Sequence, residues 1–305
     1  MTRHPSKNIA SSVRQRLLNK ARETGRPFSE LIQYFTMERF LYRLSKSHYA
    51  DNFVLKGALM FTVWQAPFTR PTMDIDLLGR IDNSIEILVK VTREICQQEV
   101  EPDGIAFDVN SIEAERIAED ADYEGIRIRF RGSLDTAKIV MQLDIGFGDT
   151  IVPSPETINY PTILDLPAPH LRAYSRESTI AEKFEAMVKL GILNSRMKDF
   201  FDIWLLLRRF DFDGPTLSAA ITKTFSTRGT NFQPEPIALT NTFAEDTEKA
   251  AQWRGFLRKS RLTDVPQNFG EVVTAIATFL GLIAEQLAAG HVFKATWKAP
   301  GPWRE

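Results

Sequence analysis

Apolar positions along this chain change spacing twice, and the changes divide it into three stretches. Residues 11–46 read as two helices. Ser12 followed by Gln15 suggests a capping box at the start of the first, and Gly25-Arg26-Pro27 separates the two. In the second, Leu31, Ile32, Phe35, Phe40, Leu41 and Leu44 make an apolar face, with Arg39, Arg43 and Lys46 off it. The middle stretch alternates short strands with helices. Phe53-Val54-Leu55 is a brief apolar run ending at Lys56-Gly57, and ALMFTVW continues as a helix. Met73 to Leu78 is strand-like, and 83–100 is helical. Strand patterns follow at 105–112, 125–131 and 138–147, with clean alternation in GIRIRFR. Strand, helix, strand, helix and three strands predict an α+β fold: a mixed sheet with helices on one side. A connector with five prolines between Pro153 and Pro169 comes next. From Ser178 the chain reads almost wholly helical, with breaks at Gly191, Gly214 and residues 233–236, and an irregular tail KAPGPWRE. The expected division is 1–46 (basic helices), 47–170 (the sheet-bearing core) and 171–305 (a helical region).

Composition narrows the class. Of 305 residues, 43% are hydrophobic and 25% charged, which excludes a disordered, collagen-like or coiled-coil chain. The net charge of −1 argues against a uniformly basic nucleic-acid binder. Its distribution is uneven, however. Residues 1–46 carry ten Lys/Arg against three acids, and residues 101–125 carry nine acids against one base. The average hides two opposed patches. One cysteine, Cys96, excludes a disulfide framework and a cysteine-rich zinc site, fits a reducing cytosol, and reads as a buried helix residue. The N-terminus lacks the apolar core of a signal peptide. The most apolar stretch, 272–290, contains Glu285 and Gln286 and reads as a buried helix, so no membrane segment is expected.

Candidate chemistry lies with the carboxylates. Asp-x-Asp occurs three times. Asp120/Asp122 falls in the acidic stretch EDADYEG, which reads as a solvated turn. Asp211/Asp213 precedes Gly214-Pro215, a turn and N-cap setting. Asp74/Asp76 lies on a strand, where residues two apart share a face. Both carboxylates then project together while Ile75 and Leu77 bury. Such a pair repels itself unless a cation sits between, and Mg²⁺ suits it as a hard, oxygen-seeking ion. In VMQLDIGFGD, Met141, Leu143, Ile145 and Phe147 alternate on the apolar face, leaving Asp144 on the other. If the two strands are neighbours, three carboxylates converge, as two-metal phosphoryl displacement requires. The alternative is an edge strand with Asp144 in water. Lys56-Gly57 ends one strand and opens a helix, where backbone N–H groups can approach phosphate. Glycine also serves such turns for backbone reasons alone.

The order Leu55-Lys56-Gly57, a helix, Arg70-Pro71-Thr72-x-Asp74-Ile75-Asp76-Leu77 and a later strand aspartate resembles the polymerase-β-like nucleotidyltransferase superfamily. The second half, TIAEKFEAMVKLG (179–191) and NSRMKDFFDIWLLL (194–207), resembles the AbiEii/AbiGii-type nucleotidyltransferase toxin family, with its Ala-Glu-Lys helix and Arg-x-Lys-Asp-x-x-Asp motif. The resemblance covers residues 50–210. It implies a core of that fold at 47–170, with the helical region completing the active site. It implies Asp74, Asp76 and Asp144 as metal ligands, with Asp144 also the base for the acceptor hydroxyl. It implies Lys183 on the nucleotide phosphates and Asp202 in an active-site role, holding Lys183 or the nucleotide. Asp199 would cap its helix or pair with Arg196 or Lys198. Lys56, Gly57, Arg70 and Thr72 become the nucleotide- and phosphate-binding candidates. By its residues alone, Lys183 reads equally as an exposed helix lysine paired with Glu182 or Glu185. One departure stands out: Gly57 is followed by Ala58, where the family commonly has Gly or Ser, so a hydroxyl contact to phosphate is lost.

The implied function is transfer of a nucleoside monophosphate from an NTP to an acceptor hydroxyl, with Mg²⁺ (two ions) as cofactor. The chain would be a cytoplasmic toxin with an antitoxin encoded nearby, acting on RNA, with the tRNA 3′ end the favoured acceptor. The basic N-terminal segment and the cluster Arg254, Arg258, Lys259 and Arg261 are candidate phosphate-backbone contacts, or else solvated helix faces. The alternatives are transfer to a protein or small molecule, a silent nucleotide-binding protein, and a metal nuclease.

Overall fold

The computed structural model describes residues 5–66, 70–120 and 123–305. The chain divides into two compact units. The first comprises residues 1–65, 71–148 and 156–173, and the second residues 66–70, 149–155 and 174–305.

The first unit contains, in order, α1 (Pro5–Thr24), α2 (Phe28–Lys46), β1 (Phe53–Lys56), α3 (Met60–Val63), β2 (Ile75–Gly79), α4 (Ile85–Gln97), β3 (Ile105–Asp120), β4 (Tyr123–Leu134), β5 (Ala137–Phe147), β6 (Glu156–Asn159) and β7 (His170–Ala173). The strands form one mixed sheet in the order β3-β4-β5-β2-β1-β7-β6. β2 runs parallel to β5, and β1 parallel to β7. All four residues of β1 are buried, the pattern of a central strand covered on both faces. On β4, Ile126, Ile128 and Phe130 are buried while Arg127, Arg129 and Arg131 take the other face. The register carries the same split to Leu143 and Ile145 on β5 and to Ile75 and Leu77 on β2. The apolar face is covered by helices. The ring of Phe40 on α2 lies 5.5 Å from Phe130 and 5.9 Å from Phe107. α4 adds Leu88, Val91 and Ile95, together with Cys96, whose thiol burial pushes up to about 12. That matches the expectation of a structural cysteine.

The second unit holds α5 (Arg176–Leu190), α6 (Met197–Arg209), β8 (Phe212–Asp213), α7 (Gly214–Arg228), α8 (Asn241–Ala244), α9 (Thr247–Ser260), α10 (Phe269–Ala288), β9 (Thr296–Trp297) and β10 (Trp303–Arg304). Side-chain caps set several helix starts. The Ser178 N–H donates to Ser175 Oγ at 3.0 Å, and that of Thr216 to Asp213 Oδ2 at 3.0 Å, the N-cap expected of Asp213. By length and composition α10 could cross a membrane. Its Phe269, Val272, Val273, Ile276, Phe279, Leu280 and Ile283 are buried inside the unit, as a core helix requires. The chain is therefore α+β, a mixed sheet with helices followed by a helical C-terminal region.

Several expectations need correction. Ser12 lies inside α1 and does not cap it. The helix expected over ALMFTVW shrinks to one short turn and α3. The proline-rich connector contains β6 and leads into β7, and the two extend the sheet past β1; prolines stand near these strands and not within them, so the ladder needs no N–H from them. The tail is irregular apart from β10, which joins β8 and β9 in a small sheet, and Trp303 stacks on Phe279 at 5.3 Å. Asp122 lies outside the described residues, and the backbone of Asp120 pairs with Tyr123 across a hairpin.

The largest correction concerns α2. Arg39 and Arg43 are buried, at 1% and 6% exposure. Arg39 pairs with Glu38 at 2.6 Å and donates to the Pro167 carbonyl at 2.9 Å. Arg43 grips Asp103 through two bonds of 2.7 and 3.0 Å. A helical count cannot anticipate this, because Asp103 stands sixty residues further on. Two of the ten N-terminal cations therefore belong to the core and not to a solvated face. Replacing Arg43 by Met strands the Asp103 carboxylate, so stability measured by urea unfolding should fall by about 3–5 kcal/mol. The double variant Arg43→Met/Asp103→Leu should lose markedly less.

Candidate active site

One row of residues crosses the polar face of the first unit's sheet. Lys56 on β1 opposes Asp76 on β2; Asp76 opposes Asp144 on β5; Asp144 opposes Arg127 on β4; and Arg127 opposes Glu115 on β3. Two carboxylates thus sit side by side with a cation on each flank. Asp144 is on a central strand and is 7% exposed, which rules out the alternative of a solvated edge position. Asp74 sits just ahead of β2 and completes a triad. Asp74, Asp76 and Asp144 each offer an oxygen within 4.8 Å of the others. An all-oxygen set of that spread fits one or more hard divalent cations and does not fit a thiophilic one.

Local structure aims these groups. The Thr72 hydroxyl donates to Asp74 Oδ1. The Thr72 N–H donates to the Tyr34 hydroxyl at 3.1 Å. From α2, the Gln33 amide donates to the carbonyls of Met73 at 3.4 Å and Val140 at 3.1 Å, tying the approach to β2 onto β5. Gly57 follows β1 with φ of +72°, and a Cβ there would fall 1.8 Å from Asp76 Oδ2. The glycine is needed for this close approach. That is a steric reason distinct from the phosphate-binding turn expected of it, and only the short α3 follows.

Asp144 is held by two side chains. Arg127 donates from Nε to Oδ1 at 2.8 Å and from Nη2 to Oδ2 at 2.7 Å. The Gln142 amide donates to Oδ2 at 3.3 Å.

Compared with known families, residues 39–275 match the model described as nucleotidyl transferase AbiEii toxin, type IV TA system. This chain belongs to the AbiEii nucleotidyltransferase toxin family. No curated protein matches it. Two solved Helicobacter pylori structures are loosely similar. JHP933 shares 13% identity at a TM-score of 0.44, with 86% of this chain and 92% of that one covered. A second, provisionally described as a nucleotidyltransferase, has the same identity and score over 85% and 95%. The family assignment does not draw on either.

This AbiEii-family nucleotidyltransferase carries its second set of motif residues in the second unit, where they form a buried ion network. Lys183 on α5 lies 2.6 Å from Asp199 and 2.8 Å from Asp202, both on α6. Arg70, in the segment 66–70, forks onto Asp202 at 2.9 and 3.0 Å. Arg196 reaches Asp199 at 2.7 Å. Burial opposes the Lys183 charge, but Asp199 and Asp202 outweigh it and hold the ammonium above the usual lysine value. Burial also opposes charge on the two aspartates. Lys183 and Arg196 overcome it at Asp199, and Arg70 and Lys183 at Asp202, keeping both below the ordinary carboxylate value. The network is fully charged at neutral pH. Its carboxylates contribute stability above about pH 4, which is lost as pH falls through their depressed values.

Of the residues expected at the site, the sheet brings together Asp74, Asp76 and Asp144 and places Lys56, Gly57 and Thr72 against them. Arg70, Lys183 and Asp202 meet in the second unit, where Asp202 holds Lys183 as expected. Asp199 pairs with Arg196 as expected and with Lys183 besides. Sequence reasoning missed Arg127, Gln33 and Tyr34. The alternation of GIRIRFR put Arg127 on a polar face, but only the register shows that it faces Asp144. Gln33 and Tyr34 precede the family match and carry no motif.

Gly57→Ala should displace Asp76. Affinity for Mn²⁺, followed by electron paramagnetic resonance, should fall at least about tenfold with the far-ultraviolet dichroism unchanged.

Proposed function

We propose that this toxin transfers a nucleoside monophosphate from an NTP to a hydroxyl of RNA, with Mg²⁺ bound at Asp74, Asp76 and Asp144. The observation that carries the reading is the three-carboxylate cluster on adjacent strands in a family of nucleotidyltransferases. When bound, the metal neutralises the triphosphate and lowers the acceptor hydroxyl's hold on its proton. The protein's own contribution is positional. β2 and β5 fix the carboxylates side by side, and Thr72, Tyr34 and Gln33 fix the segment that carries Asp74. The acceptor oxygen bonds to the α-phosphorus, the bond to the bridging oxygen breaks, and pyrophosphate leaves with the electron pair. Activity also depends on Lys183 and Asp202, with Lys183 serving as phosphate cation and Asp202 holding it. Lys56, Arg70 and the Gly57 turn assist in phosphate binding.

RNA is the acceptor class that the exposed cations support, and the tRNA 3′ end is favoured on the family resemblance alone. Arg16 and Arg22 on α1 are exposed, as are Arg254, Arg258, Lys259 and Arg261 at the end of α9. Such clusters neutralise phosphates in a salt-dependent way. A cognate antitoxin is the expected protein partner of a type IV system, and a buried, unbridged Cys96 fits work in the cytoplasm.

Incubation with each α-labelled NTP, Mg²⁺ and total RNA should move label into RNA of tRNA size. Asp76→Ala should lower that transfer by at least about a thousandfold, and Lys183→Ala by about a hundredfold. Label confined to protein bands would shift the acceptor to a polypeptide, and RNA cleavage without NTP would replace transfer by hydrolysis.

A further inference from the structure

The bonds around Asp144 limit what that carboxylate can still do. A carboxylate offers about four lone-pair positions. Three are taken at Asp144: one on Oδ1 and one on Oδ2 by the Arg127 fork, and one on Oδ2 by Gln142. The Gln142 amide is itself oriented, because Arg129 Nε donates to its oxygen at 3.2 Å and so turns the NH₂ towards Asp144. One position remains, on Oδ1. A carboxylate with one opening can hold a metal ion or accept a proton, but it cannot bridge two ions.

We propose that Arg127, supported by Gln142, is a positioning residue that keeps Asp144 to one open contact. The nucleotide-free protein then takes up one divalent ion, on Asp74 and Asp76, and not two. The proposal rests on reading the triad as a metal site. It gives the three carboxylates different tasks. Asp74 and Asp76 would hold the ion of the nucleotide-free protein, and the one open oxygen of Asp144 would complete the three-carboxylate site only once a metal-bound triphosphate is present. Arg127 touches none of the reacting atoms. It acts by holding Asp144, through a bidentate grip that a lysine could not reproduce.

The test counts Mn²⁺ bound per chain by electron paramagnetic resonance, without nucleotide. The intact protein should bind about one ion, and Arg127→Met about two, because Asp144 then has its fork positions free. Arg131→Met, on the same strand face but away from Asp144, should stay at about one. Asp144→Asn should also keep about one ion, with affinity within about threefold, whereas Asp76→Asn should lose at least about tenfold. Two ions on the intact protein, no gain in Arg127→Met, or a tenfold loss in Asp144→Asn overturns the proposal. Should Arg127→Met fail to fold, as judged by its thermal melt, the Asp144→Asn arm decides alone. No Mn²⁺ on the intact protein, with a normal melt, overturns the metal reading beneath it, an outcome distinct from two ions.

Discussion

The parallel pairing of β2 with β5 is the constraint on which the site depends. Asp76 stands opposite Asp144 only in this register, and a slip of one residue would send one partner's carboxylate into the core. The register is held from the other face, where Ile75 and Leu77 bury beside Leu143 and Ile145. It is also held at its entrance, where Gln33 ties Met73 to Val140. The Asp76 and Asp144 carboxylates contribute nothing favourable to this pairing themselves. Packing on one side of the sheet fixes the position of charges that repel on the other.

That division explains which features could be read from the sequence. Alternation is a local property, so the strands around Asp74, Asp76 and Asp144 and the face each aspartate takes follow from a few neighbouring residues. Motif order then suggested that the two strands are neighbours, and the sheet has them paired. Arg127 lay in a segment whose alternation was plain, yet its partner depends on which strand lies beside it and in what register. β6 and β7 were hidden for a different reason. Each is four residues long with prolines close by, and too few positions alternate to give a period. The tail strands of two residues each carry no periodic signal at all. Their order comes from Trp297 and Trp303 packing on Phe279, contacts distant in sequence.

Charge shows the same limit. The segment counts suggested two opposed patches, but many cations are committed inside a unit. Arg39 and Arg43 serve α2 and its neighbours. Arg228 on α7 contacts Asp149 and Glu185 at 3.0 Å, both almost fully buried. Lys183 and Arg70 are held by aspartates of α6. A buried pair of this kind costs desolvation that its own attraction only partly returns, so such pairs fix geometry more than they add stability. In the second unit they lock α5 to α6 and to the segment 66–70, and through Arg228 lock α5 to α7. The helix that carries Lys183 is therefore clamped on two sides by charge.

The ladder itself can be weighed. Two carboxylates about 5 Å apart repel by about 3 kcal/mol at an effective dielectric constant of about 20. Burial of Asp144 raises that cost, and two facing anions alone would disfavour the strand pairing. Arg127 returns a comparable amount through two short, charge-assisted bonds, and Lys56 stands across from Asp76 on the opposite flank. The sheet can therefore form without a metal, which three bare carboxylates would allow less easily. The same cations also lower the local negative potential, so an incoming ion meets a site that is partly neutralised and binds it less tightly than three free carboxylates would. On the proposed reaction, which would admit a metal-bound triphosphate and release metal-bound pyrophosphate, that moderation is a gain, because an ion held too firmly would slow release. Under the proposed metal site, Arg127 and Lys56 would thus let the sheet form without the ion, at the cost of a weaker grip on it.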